Sequence, residues 1–192
     1  MLDVKGDTRT KLLDTAQRLV QTRGYNAFSF KDLAREVGIR TASIHYHFPK
    51  KGDLGVALMQ RYLDELASTL GQIERAQGGA RRTLERFIDL YRSTESRGAI
   101  CLCGSLASDR ETLTPELQAV VARYLERSER WVTKMVERGV ESGEFSYAGA
   151  PADAAALLLS GLQGGLIVAR GRAGGPKLDA VERPFFQLLG AA

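Results

Sequence analysis

From Thr114 the sequence reads TPELQAVVARYLERSERWVTKMVERGVESG, and Leu117, Val120, Val121, Tyr124, Leu125, Trp131, Val132, Met135 and Val136 hold one apolar stripe at helical spacing until Gly143. A capping threonine, a proline at the first helical position and an acid in the first turn start it. A helix of nearly thirty residues is about 40 Å long, at 1.5 Å per residue. Its one apolar face is buried most simply against other helices, so a helical bundle is expected.

The rest of the chain agrees, and nothing reads as strand. From Thr8 to Arg23, Leu12, Leu13, Ala16, Leu19 and Val20 recur at helical spacing, with Asp7 or Thr8 as N-cap and Gly24 as the stop. Ser29 followed by Asp32 forms a capping box for a short helix carrying Leu33, Ala34 and Val37, closed by Gly38. A third helix runs from about Thr41 to Phe48 and ends at Pro49. Two short helices joined by a glycine-containing turn make a helix-turn-helix. Beyond it, helices are expected from Asp53 to about Ile73, from Arg81 to Thr94, shortly after Cys103, from Pro151, and from Leu178 to Leu189, where Pro184 complicates the start. The expected fold is all-α with about nine helices.

The chain has 192 residues and a net charge of +4, and the charge is unevenly placed. Residues 1–50 hold nine Lys/Arg against five Asp/Glu, which accounts for the whole excess and leaves the remainder neutral. A basic head on a neutral body points the head toward a polyanion. The opening residues have no secretory pattern. The most apolar segment, Ala154–Ala169, is about sixteen residues long, short of the roughly 20 needed to span a bilayer. It reads as a buried helix. Cys101 and Cys103 are too close to staple a fold, which fits a reducing, cytoplasmic compartment.

Both histidines fall in TASIHYHFPKKGDL, residues 41–54. On a helix, residues two apart point about 200° from each other, so His45 and His47 are poorly placed to share a metal ion. No Ser, Cys or carboxylate pair beside them makes a nucleophile–base set. With Ile44 and Phe48 turned inward, Thr41, Ser43, His45, Tyr46 and His47 occupy the other faces. Short hydrogen-bonding and aromatic side chains beside Lys50 and Lys51 suit a major groove and its flanking phosphates.

The run Leu33-Ala34-Arg35-Glu36-Val37-Gly38-Ile39, then Ile44-His45-Tyr46-His47-Phe48, then Lys51 and Asp53-Leu54, resembles the DNA-binding domain of TetR/AcrR-family transcriptional regulators over residues 8–55. Ala42 stands where the family often has Gly, and His45 where it often has Tyr. The resemblance implies a DNA-binding domain over residues 1–52 and a helical ligand-binding and dimerisation domain over 53–192. It implies phosphate donation by Ser29 and backbone holding by Tyr46, His47 and Lys51. Arg40, Thr41 and Ser43 would lie nearest the base edges, with His45 as a further candidate. The implied protein is a homodimeric repressor, released from a palindromic operator in double-stranded DNA by a small molecule.

The dimer surface is expected on the Ala154–Ala169 helix with Phe185, Phe186, Leu188 and Leu189, since the family pairs its last two helices. Effector contacts are expected among Met59, Tyr62, Phe87, Tyr91, Tyr124, Trp131 and Met135, with an apolar or aromatic effector favoured and no cofactor implied. Cys101 and Cys103, close to Arg97, raise a second possibility, a thiol sensor of electrophiles or oxidants. Burial competes with that reading, because cysteine packs well in cores and a Cys-x-Cys bridge is strained. The rival classes are a helical-bundle enzyme, against which stands the lack of a convergent acid, base, metal or cofactor motif, and a non-specific nucleic-acid binder.

Overall fold

The computed structural model describes residues 4–172 and 178–191. Among these, nine α-helices and one short 3-10 turn occur, with no strand: α1 Val4–Arg23, α2 Phe30–Val37, α3 Thr41–His47, α4 Lys51–Arg75, α5 Ala80–Glu95, α6 Leu102–Ser108, the turn Arg110–Thr112, α7 Pro115–Glu141, α8 Pro151–Gly171 and α9 Asp179–Leu188.

Most starts and stops follow the expected chemistry. The Ser29 capping box is present, and Gly38 closes α2 at φ +77° with its N–H donating to Ala34 O. That left-handed backbone is the reason for glycine there. Two helix starts lie earlier than expected. Helix α1 begins at Val4, a turn earlier than expected, so Asp7 does not cap it; its carboxylate pairs with Lys11 one turn on, at 2.6 Å. Helix α4 begins at Lys51, because Asp53 accepts the Lys50 N–H at 2.8 Å and extends the helix backward. Helix α9 carries Pro184 in its interior, where the ring forfeits one backbone hydrogen bond.

The chain groups into two compact units. The first comprises the residues up to Asp64 with Leu102–Arg123, so the boundary expected after residue 52 falls inside it. Leu12, Ala16, Leu19 and Val20 of α1 are buried together with Leu33, Ile44, Phe48, Leu54, Leu58, Leu102 and Leu106. Each fully buried Leu or Ile contributes roughly 1.5–3 kcal/mol. Helix α6 packs against α1, and the buried Ser105 hydroxyl donates to Val20 O at 2.9 Å. Beyond α6, the Asp109 carboxylate accepts the Tyr25 N–H at 3.1 Å, and the Asn26 amide donates to the Thr112 hydroxyl at 2.9 Å.

The second unit comprises residues 65–101 and Tyr124–Ala192. There α5 packs on α8 and α9, and α8 on α9. A Cβ at Gly161 or Gly165 would come within 2.8 Å of Val181 or Leu178, so α9 approaches α8 where only glycine leaves room. Arg92 of α5 pairs with Asp89 at 2.9 Å, with Asp179 at 2.8 Å and with Glu182, tying α5 to α9. Glu144 caps α5, accepting the Ala80 N–H at 2.9 Å and the Arg81 N–H at 3.1 Å.

Candidate nucleic-acid interface

Helix α3 is anchored by Ile44, with 0% exposure, and by Phe48 just past its end, with 2%. With Ile44 inward and about 100° per residue, Ala42 and Tyr46 point most nearly outward, and Ser43 and His45 flank that seam at about 80° on either side. Ala42, Ser43, His45 and Tyr46 are exposed, while Thr41 and His47 are half-buried. Tyr46 is 65% exposed, with its ring edge-on to His47 at 5.2 Å.

Arg40 is the N-cap residue of α3 and gives its backbone no side-chain cap. Its guanidinium is exposed and makes no ion pair among the described residues, as is true of Lys31 and Lys50. An open depression of about 560 Å³ is lined by Thr8, Ile39, Arg40, Ala42, Ser43, Tyr46 and His47. The structure thus brings Arg40, Ser43, Tyr46 and His47 of the expected set together and adds Thr8 from α1. Lys31, beside the α2 cap, is a further cation that the helix-turn-helix pattern did not single out; only the basic charge of the head pointed toward it.

Two expected phosphate contacts are engaged inside the fold. The Ser29 hydroxyl donates to Asp32 Oδ2 at 2.7 Å and accepts the Asp32 N–H at 3.3 Å. Its one proton is therefore committed to the capping box, which corrects the simple picture of a donor held ready for phosphate. The Ser29 bond is also the main cause that holds the Asp32 carboxyl below the usual carboxylate range.

Lys51 is likewise engaged inside the fold. Its ammonium donates to Tyr25 O at 2.6 Å and Phe28 O at 2.5 Å, and sits 4.6 and 4.4 Å from the centroids of the Tyr25 and Phe28 rings. Tyr25 returns a bond from its hydroxyl to Lys51 O at 3.0 Å. Burial pulls the Lys51 ammonium below the ordinary lysine range, with the charges of Asp109 and Asp32 opposing. Burial, aided by the charge of Asp53, pushes Tyr25 up to about 12.

His45 is held in a fixed orientation. Its Nδ1 lies 3.1 Å from Pro49 O, and its ring meets Phe30 of α2 edge-on, with centroids 5.1 Å apart and planes at 70°.

The expected effector residues divide between the units. Met59, Tyr62 and Cys103 lie in the first; Phe87, Tyr91, Cys101, Tyr124, Trp131 and Met135 lie in the second. All are buried except the half-buried Tyr62. Phe87 lies at the centre of an aromatic cluster, 5.6 Å from Tyr91 and 5.3 Å from Trp131 between ring centroids. The Trp131 indole donates to Glu74 Oε1 at 2.7 Å, and Lys134 bonds the other Glu74 oxygen at 2.9 Å. Cys101 and Cys103, at 3% and 0% exposure, are withdrawn from solvent reagents, which weighs against a reactive thiol.

The expected dimer surface also needs sorting. Phe185, Phe186 and Leu189 are buried within the chain's own core, and only Leu188 of that set is exposed. On α8, Leu157, Ile167 and Val168 are 54%, 53% and 46% exposed. With Ser160 and Gly164 they form one stripe, and a Cβ at Gly164 would meet nothing within 4 Å. At 21 residues, counting the turns that flank the apolar run Ala154–Ala169, α8 is long and apolar enough to cross a membrane by length and composition.

The model of the bacterial regulatory proteins of the tetR family matches residues 12–58. A solved structure, a TetR transcriptional regulator from Legionella pneumophila, is 33% identical, with 93% of this chain and 95% of that one covered at a TM-score of 0.84. The chain belongs to the TetR family. A TetR-family regulator from Agrobacterium tumefaciens is 27% identical over 98% of this chain and 100% of its own, at a TM-score of 0.92. The transcriptional repressor KstR2 of Rhodococcus jostii is 29% identical over 148 residues, 73% of this chain and 69% of its own length. The protein is a ligand-responsive, DNA-binding transcriptional regulator, of a family of regulators rather than enzymes.

Proposed function

We propose that the protein is a cytoplasmic, homodimeric repressor whose two α3 helices enter successive major grooves of a near-palindromic operator. The observation that carries this is the α3 surface: a helix anchored by Ile44 and Phe48, with Ala42, Ser43, His45 and Tyr46 presented outward beside Arg40, Lys31 and Lys50, cations that make no ion pair among the described residues. Arg40, Thr41 and Ser43 read bases at the helix start; Tyr46, His47, Lys31 and Lys50 hold the backbone. Ser29 and Lys51 contribute by fixing the start of α2 and α4. The repressor assignment draws on the similarity to the transcriptional repressor KstR2.

Each subunit's exposed α8 stripe, Leu157, Gly164, Ile167 and Val168, with Leu188 of α9, meets its copy across a two-fold axis. That occupant accounts for an apolar face that the chain itself leaves in water. A small apolar or aromatic effector binds beside Phe87, Tyr91, Tyr124, Trp131 and Met135 and shifts the heads away from the operator-fitting spacing.

The test is selection of retained sequences from a random duplex pool. Enrichment of a two-fold-symmetric site supports the assignment. Retention that falls with salt but enriches no sequence would show a non-specific binder instead.

A further inference from the structure

We infer that His45 is a specificity-determining residue that accepts a hydrogen bond from a base amino group, adenine N6 or cytosine N4, in the major groove. The inference rests on the operator-reading function proposed above. A carbonyl oxygen carries no proton, so across the 3.1 Å between His45 Nδ1 and Pro49 O the ring must be the donor. In the neutral ring Nε2 is then left with a lone pair and no hydrogen. Nε2 makes no hydrogen bond among the described residues, and the ring is exposed. The edge-on contact with Phe30 restrains it from the α2 side.

A tyrosine hydroxyl at this position could turn its proton toward a phosphate; this imidazole cannot. An outward lone pair is repelled by phosphate oxygens, by guanine O6 and N7 and by thymine O4, and is satisfied in the groove only by the amino groups of adenine and cytosine. His45 also lies on one flank of the outward seam with Ser43 on the other, within reach of a base edge to one side of the helix axis. The Pro49 carbonyl thus converts a residue capable of several contacts into an acceptor of one kind.

The experiment is a pool selection with the full chain at pH 8. Titration then follows, against sites carrying each of the four bases at every half-site position. Wild type, His45→Leu and His45→Gln are compared, after circular dichroism shows each variant folded. The expected result is one position per half-site where adenine or cytosine on the contacted strand is preferred by at least about fivefold over guanine and thymine, the low end for one base contact. His45→Leu flattens that position alone. His45→Gln narrows it to adenine, because an amide can bond N6 and N7 together.

A His45-dependent preference for guanine or thymine overturns the inference, since it needs a donor at Nε2. So does a uniform loss across all sequences in His45→Leu, which marks a backbone contact. An enriched site indifferent to position 45 overturns this inference alone, while no enriched site overturns the operator-reading function with it.

Discussion

Replacing Lys51 with methionine keeps the length and apolar stem of the side chain and removes its ammonium. Two bonds disappear, to Tyr25 O and Phe28 O, together with two cation–ring contacts. Hydrogen bonds from a charged donor are each worth about 1.5–3 kcal/mol, and a partly exposed cation–π contact adds about 0.5–1 kcal/mol. Against this, the half-buried site lets water reach part of the orphaned carbonyls, and the variant avoids desolvating a charge. A net loss of about 2–3 kcal/mol is expected. For a chain of this size each kcal/mol lowers Tm by about 2–4 °C, so the melting midpoint should drop by about 5–10 °C. Circular dichroism at 222 nm reads it directly. At a temperature where the variant is folded, the slope of log affinity for DNA against log salt should match wild type, because no phosphate contact has been removed. An unchanged Tm with a slope reduced by about one would refute the reasoning and return Lys51 to the DNA backbone.

Gly38→Ala meets no steric obstacle at its Cβ, yet must hold φ at +77°; a loss of about 1–2 kcal/mol in urea unfolding is expected, and a neutral result would show that α2 can end otherwise. Leu157→Glu with Val168→Glu places carboxylates on the exposed α8 stripe and should yield a folded monomer in sedimentation; an intact dimer moves the interface elsewhere. Arg40→Ala should alter the selected sequence as well as weaken binding, whereas Lys50→Ala should weaken all sequences alike in the same titration. Hydrogen bonds from Lys134 foremost, and from Trp131, hold the Glu74 carboxyl below its ordinary range. A depressed carboxylate stabilises the fold above its unfolded value, near pH 4.3, and that contribution is lost as pH falls through the folded value. Emission from Trp131, the chain's single tryptophan, should therefore shift below about pH 4, and Glu74→Gln should remove that acid transition.

What was legible in the sequence was local. The Ser29–Asp32 box, Gly38, the Pro115 start and the stripes of α1 and α7 are set by residues within a turn or two of one another, so spacing alone revealed them. What escaped joins distant positions. Lys51 looked like a surface cation because nothing nearby shows that carbonyls 23 and 26 residues back await it. Glu144 serves the α5 terminus from 63 and 64 residues away, where the sequence offers only Gly78-Gly79. Apolar periodicity also marks a face as buried without naming what buries it. Phe185 and Phe186 therefore read as partner contacts, although their own chain covers them, and the face left exposed is that of Leu157 and Val168.

The ties from Ser105 to Val20, Asp109 to Tyr25 and Thr112 to Asn26 bear on how regulators of this kind are recombined. A chimera cut after residue 52 would carry its operator preference away from the segment around residues 105–112 that completes its hydrogen bonding. The Tyr25 amide would then lose its Asp109 acceptor, and the Val20 carbonyl would keep only the Gly24 N–H. Grafts that transfer Leu102–Arg123 along with the head keep those partners matched, and should express and melt as the parent does where the shorter graft does not.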